Sequence, residues 1–132
     1  MIGVSYHCSK TFASGGKRFP TSDDLIIQAL ILLEKRKFSE VNFYVGLATW
    51  QKPVYIGKIN NKIFIKVKNI SKNEWLTQFC HEKMTIEKRW RHYIIIDILN
   101  KINFITLAHF IGEIYKEYYN CNGVFKLKAY LR

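Results

Sequence analysis

The segment Pro53 to Lys68, PVYIGKINNKIFIKVK, constrains this chain more than any other. Two runs of alternating side chains flank Asn60-Asn61, a pair that tolerates the positive φ angles of a type I′ turn. A two-residue loop at that pair sets Ile59 opposite Lys62, Gly57 opposite Phe64 and Ile56 opposite Ile65. It also sets Tyr55 opposite Lys66 and Val54 opposite Val67. One face of the ribbon then carries Val54, Ile56, Ile63, Ile65 and Val67 and is a core face. The other carries Tyr55, Gly57, Ile59, Lys62, Phe64, Lys66 and Lys68, mixing cations with rings. Phe64 is expected to cover the backbone left bare by Gly57, and Tyr55 to lie along the Lys66 stem.

Where the charge falls says more than its total of +11. Residues 1–40 carry +2 and residues 74–117 carry six basic and six acidic side chains, which cancel. Residues 41–73 hold six lysines and no acid, and residues 118–132 hold Lys126, Lys128 and Arg132 and no acid. Both acid-free segments read as strands, whereas a charge serving solubility alone would be spread over helices and loops as well.

With 132 residues, 48% of them hydrophobic, the chain reads as one domain with a substantial core and not as a disordered segment. Cys8, Cys80 and Cys121 are odd in number and widely spaced, which points away from a disulfide framework and toward a reducing compartment. No secretory signal peptide is visible at the N-terminus. The apolar stretches at Leu25 to Leu33 and Tyr93 to Tyr115 are interrupted by polar residues and do not read as membrane spans. The expectation is a soluble, cytoplasmic protein.

In chain order, Met1 to His7 reads as a short strand and Ser9 to Thr21 as an exposed loop around Gly15-Gly16-Lys17-Arg18. That loop lacks the earlier Gly and the Ser or Thr of a Walker A motif, although its amides and two cations suit a phosphate. Ser22 is the expected N-cap of a buried helix reaching about Lys37, with Asp23 and Asp24 in its first turn. Val41 to Trp50 alternates as a strand and leads into the hairpin. Ser71 and Glu74 suggest a capping box, followed by the apolar stripe Trp75, Leu76, Phe79 and Cys80. Ile86, Trp90, Ile94, Ile95, Ile98, Leu99 and Ile102 keep helical spacing to about Lys101. A further helix is expected over Thr106 to Asn120, ended by Asn122-Gly123. Val124 to Arg132 alternates again, with Phe125, Leu127, Ala129 and Leu131 inward and Lys126, Lys128, Tyr130 and Arg132 outward.

The assembled order is β-α-β-β-β-α-α-β. It predicts a single-domain α+β fold: an antiparallel or mixed sheet of about five strands with three to four helices packed on one face. The open face would gather Tyr44, Trp50, Tyr55, Phe64 and Tyr130 with Lys62, Lys66, Lys68, Lys126, Lys128 and Arg132. Rings that stack unpaired bases beside lysines that track phosphates are the chemistry of nucleic-acid binding, RNA or DNA, without catalysis. The same surface suits an acidic protein partner, as an inhibitor or immunity-type factor would meet. The stretch His81 to Tyr93 is expected to add Arg91 to the basic surface from a helix whose Trp90 points inward.

Other motifs carry less. Asn42-Phe43-Tyr44 and, ten residues on, Tyr55-Ile56-Gly57 resemble in spacing the two tripeptides of the GIY-YIG nucleases, a resemblance confined to about 16 residues. In that family the tripeptides lie on adjacent strands, a following helix supplies an Arg and a later Glu holds a metal. Here the first tripeptide lacks its Gly, and the second runs through Asn60-Asn61 into another strand. None of Arg89, Arg91, Glu113 and Glu117 falls at the family's spacing. A small nuclease is the third reading, after the nucleic-acid binder and the protein-binding factor. Lys101 to Glu113 has some helix-turn-helix offsets but no basic recognition helix after it. His7-Cys8 and Cys80-His81 lack local metal-ligand spacing, and His109, Glu113 and Glu117 share one helical face. No metal or cofactor is called for.

Overall fold

The central hairpin forms in the expected register. The structure, a computed structural model, describes residues 10–35, 38–46, 50–71, 73–79, 84–99, 102–121 and 125–132. Strands β3 (Val54–Ile59) and β4 (Lys62–Lys68) pair antiparallel, with Gly57 opposite Phe64 and Tyr55 opposite Lys66. Asn60 and Asn61 take φ angles of 51° and 65°, the left-handed pair that a type I′ turn requires. The Phe64 ring lies over Gly57, where an added Cβ would sit 2.6 Å from Phe64 Cε1.

Around this hairpin the described residues build a sheet of seven strands, not five. The others are β1 (Lys10–Ala13), β2 (Glu40–Tyr44), β5 (Met84–Arg89), β6 (Tyr93–Ile98) and β7 (Lys128–Leu131). Every pairing is antiparallel, in the order β1-β7-β2-β3-β4-β6-β5. The strand expected at Met1 to His7 lies outside the described residues, while β1 occupies part of the expected loop. β2 and β7 are shorter than their alternation suggested.

The largest departure is at Thr85 to Lys101, where β5 and β6 replace the expected helix. Ile86, Trp90, Ile94 and Ile98 fit a helical stripe, but Ile94, Ile96 and Ile98 also alternate, and all three are buried. Five of the six residues from Tyr93 to Ile98 are aromatic or β-branched, and β4 offers them an unsatisfied edge, so pairing wins over helix spacing. Trp90, expected in the core, is 51% exposed at the turn joining the two strands.

Three helices among the described residues cover one face. α1 (Ser22–Glu34) is capped by Thr21, not Ser22. Thr21 Oγ1 accepts from the Asp24 amide at 3.2 Å while Asp24 Oδ2 accepts from the Thr21 amide at 3.2 Å. α1 ends at Glu34, short of the expected Lys37. α2 (Asn73–Phe79) lacks the expected Ser71 cap. Ser71 has φ 64°, and its amide donates to Asn69 Oδ1 at 3.1 Å, so a side-chain turn at Asn69 precedes the helix. α3 (Phe104–Glu113), capped by Asn103, continues into a π-helical turn at Ile114–Tyr118 and stops where Asn120 takes φ 57°. It is one continuous helix, so the helix-turn-helix offsets fall within a single element. The proposed terminator Asn122-Gly123 and most of the Cys80-His81 neighbourhood lie outside the described residues.

The helices bury Leu25, Ile26, Leu30, Leu33, Leu76, Leu107, Ile111 and Ile114 against Val41, Phe43, Ile56, Ile65, Val67, Ile94 and Leu131 of the sheet. Each such side chain contributes about 1.5–3 kcal/mol when fully buried. The π turn adds a tyrosine clamp. Tyr119 donates to the Pro53 carbonyl and accepts from the Lys68 amide at 2.9 Å. Tyr118 donates to the Lys68 carbonyl and accepts from the Ile70 amide at 3.3 Å. Two hydroxyls thus satisfy backbone groups where β3 begins and β4 ends, groups that would be costly to leave unpaired.

Two stability measurements follow from this packing. Gly57→Ala pushes a methyl into the Phe64 ring and should cost about 1–3 kcal/mol in urea unfolding. A second change, Phe64→Leu, should recover part of that loss, and an undiminished Gly57→Ala midpoint would contradict the close approach. Burial raises the hydroxyl pKa of Tyr115 and Tyr119 above the ordinary value of 10.0. Their neutral forms are favoured in the fold, so this stability is complete below pH ~10 and declines as pH rises toward the folded values. Each contributes a slope of up to about 1.4 kcal/mol per pH unit there. Tyr119→Phe should flatten the alkaline decline in unfolding free energy relative to the parent chain.

Candidate functional site

No described helix covers the second face of the sheet. Because side chains alternate, the pairings place Thr11, Tyr130, Asn42, Tyr55, Lys66, Ile95 and Lys88 in one row across all seven strands. A neighbouring row runs Arg132, Glu40, Gly57, Phe64, Asp97 and Thr85. Six residues expected on this face (Tyr55, Phe64, Lys66, Lys128, Tyr130 and Arg132) stand on strands or strand ends that bring them together.

Lys66 is the centre of the first row. Its ammonium lies 4.9 Å from the centroid of the Tyr55 ring and 4.8 Å from that of Tyr93. A cation between two rings is held by both quadrupoles while keeping access to water. Tyr55 is also 6.0 Å from Phe64, centroid to centroid. Its hydroxyl donates to Glu40 Oε2, and Glu40 Oε1 lies 3.8 Å from Arg132 Nη1. Burial, then the Glu40 hydrogen bond and charge, pushes the Tyr55 hydroxyl pKa upward, so it remains a neutral donor at physiological pH. Trp50, 67% exposed, helps to line a shallow hollow of about 170 Å³ with Asn42, Pro53, Tyr55, Lys66 and Tyr93.

Other expected residues sit less favourably. Tyr44 is 9% exposed, too buried to offer a stacking face. Lys128 lies over it, Nζ 5.7 Å from the ring, and donates to the Gly46 carbonyl at 2.6 Å. Lys68 is half-buried opposite Tyr93. Lys62 is exposed at the hairpin end, and Lys126 is exposed ahead of β7. Arg91 stands in the β5–β6 turn, not on a helix.

The face also holds residues that the expected helix had removed from view. Tyr93, Ile95, Asp97 and Lys88 arrive with β5 and β6. With Glu40 and Glu87, Asp97 interrupts the positive charge that looked unbroken along the chain. The β-branched run from Ile94 to Ile96 was the signal for these strands.

The remaining motifs stay apart from this face. Arg18 stacks on Phe12 and Phe19 at 4.9 and 5.3 Å, and the Gly15 amide donates to the Phe19 carbonyl, which occupies much of the suspected phosphate loop. His109 lies 4.0 Å from Asp23, and Glu117 accepts from Trp75 Nε1 at 2.7 Å. Within the His109, Glu113 and Glu117 set, His109 and Glu117 therefore have separate partners. Asn42 and Tyr55 are adjacent across β2 and β3, but β3 leads straight into β4, with no Arg-bearing helix between. Among the described residues, no three His, Cys, Asp or Glu side chains cluster as metal ligands would. No described helix is long and apolar enough to cross a membrane. No protein-family model, curated protein or solved structure matches this chain.

Removing the Tyr55 hydroxyl tests the wiring of the face. Tyr55→Phe should cost about 1.5–3 kcal/mol in urea unfolding, the range for a hydrogen bond to a charged group. Glu40→Gln, which keeps an acceptor for Tyr55, should cost less.

Proposed function

We propose that this protein binds single-stranded nucleic acid across the helix-free face of its sheet, without catalysis. The observation that carries the reading is the row through Lys66, in which one ammonium is shared by the Tyr55 and Tyr93 rings. The row from Tyr130 to Lys88 crosses six strands, about 24 Å at the usual strand spacing, room for several nucleotides. Stacking on exposed rings is worth roughly 1–3 kcal/mol per base and is open only to unpaired bases. A phosphate approaching Lys66 offers its ammonium a full negative charge in place of two ring faces, so the strand can draw the lysine outward and uncover the rings.

The acids on the face matter here. Glu40, Glu87 and Asp97 reduce the purely electrostatic attraction and leave a larger share of affinity to stacking. That favours single strands over duplex, whose bases are hidden.

Fluorescence anisotropy with labelled single-stranded RNA, single-stranded DNA and duplex DNA tests this at about 50 and 200 mM salt. The expected result is tighter binding of a single strand than of duplex, weakening as salt rises. Lys66→Met with Lys128→Met keeps the apolar stems and removes two charges. It should lower the slope of log K against log salt by about 1.4, with the cooperative unfolding transition retained and its midpoint lowered by only a few degrees. Equal, weak binding of all three probes would overturn the reading and direct the search to an acidic protein partner.

A further inference from the structure

A hollow of about 500 Å³ on the open face lies beside the Lys66 row, toward the hairpin tip. Its floor is Phe64 and Ile95, and its rim carries Lys62, Lys88, Glu87 and Asp97. The volume is within the range of small-molecule sites and accommodates one nucleotide. The Phe64 ring covers Gly57 and also lines the hollow. Asp97 is its direct neighbour across β4 and β6. Among the described residues, none donates a hydrogen bond to the Asp97 carboxylate or lies in ion-pair range of it, although the side chain is half-buried. An acceptor with no partner among the described residues, open to solvent beside an aromatic ring and two ammonium groups, is a recognition arrangement, since its lone pairs are free to meet a ligand's donors.

We infer that this groove selects guanine: the base stacks on Phe64, its N1–H and N2 amino group donate to Asp97, and Lys62 and Lys88 meet the flanking phosphates. The inference rests on the proposed binding of single strands to this face. A carboxylate is an acceptor only, so it favours a base edge that presents donors side by side. Guanine alone does so on its Watson–Crick edge. Adenine and cytosine each set one amino donor beside a ring acceptor, and uracil flanks its single N–H with two carbonyls, all of which bring oxygen or nitrogen lone pairs against the carboxylate. Two parallel, charge-assisted hydrogen bonds are the strong case and discriminate among bases. Glu87, on the same rim, further disfavours acceptor-rich edges.

The test uses the full chain and a labelled oligouridine of about ten nucleotides, with its central position replaced in turn by guanosine, adenosine, cytidine or inosine. Guanosine should tighten binding roughly tenfold over the other standard bases, within the reach of one bidentate contact. Inosine keeps N1–H but lacks the amino group, and should lose most of that gain on the unaltered protein. Asp97→Asn should abolish the preference for guanosine and, by removing a negative charge from the face, raise oligouridine affinity a few-fold. Equal binding of all probes would overturn the guanine assignment while leaving the sheet-face reading intact. A preference that survives Asp97→Asn would overturn the role of Asp97. Binding of no probe at all would instead overturn the sheet-face reading on which the inference stands.

Discussion

Side chains alternate across a sheet with period two, so each strand pairing decides which residues meet the helices and which face away. Here that decision starts at Asn60 and Asn61, whose left-handed backbones allow β3 and β4 one register. A slip of one residue would turn Lys66 into the core and Ile65 out of it. With the hairpin fixed, β2 aligns Asn42 with Tyr55 on one side and β6 aligns Asp97 with Phe64 on the other. The core and the open face are two consequences of one turn.

The hairpin was legible because two independent signals agreed on it, a period-two pattern and a turn pair of the right chemistry. β5 and β6 were not, because their signals conflicted. Ile86, Trp90, Ile94 and Ile98 recur every four residues, which suits a helix, and the turn at Trp90 to His92 has no Gly, Asn or Pro to mark it. What decided the outcome was the open edge of β4, a tertiary fact that local spacing does not contain. The tyrosine clamp was half legible. Tyr115 and Tyr118 fit the apolar stripe, but the backbone groups that Tyr118 and Tyr119 satisfy belong to residues 48 to 66 positions away.

The candidate site shows the same division. Tyr55, Phe64 and Lys66 could be placed on one face from the register alone. Tyr44 could not be recognised as buried, because its cover, Lys128, comes from a strand whose position in the sheet only the full structure gives. Charge was legible by segment but not in space. The acid-free hairpin stands beside Asp97 on β6, and Glu40 sits at the very start of β2. The face is therefore a patterned surface of both signs, and such a surface selects partners by where the charges sit as well as by their sum.

The position of β7 between β1 and β2 has a bearing on how the protein is made. β1 pairs with no strand but β7 among those described, and the Ser14 hydroxyl beside it accepts from a Leu127 amide 113 residues later in the chain. On a ribosome adding about 5–20 residues per second, β1 and one edge of β2 wait several seconds or more without their partner. The hairpin core can assemble as it emerges, whereas this flank closes only once β7 is free of the exit tunnel. Early synthesis thus leaves a transiently sticky edge, and the loop-closure entropy of joining distant segments makes its sealing a late folding event.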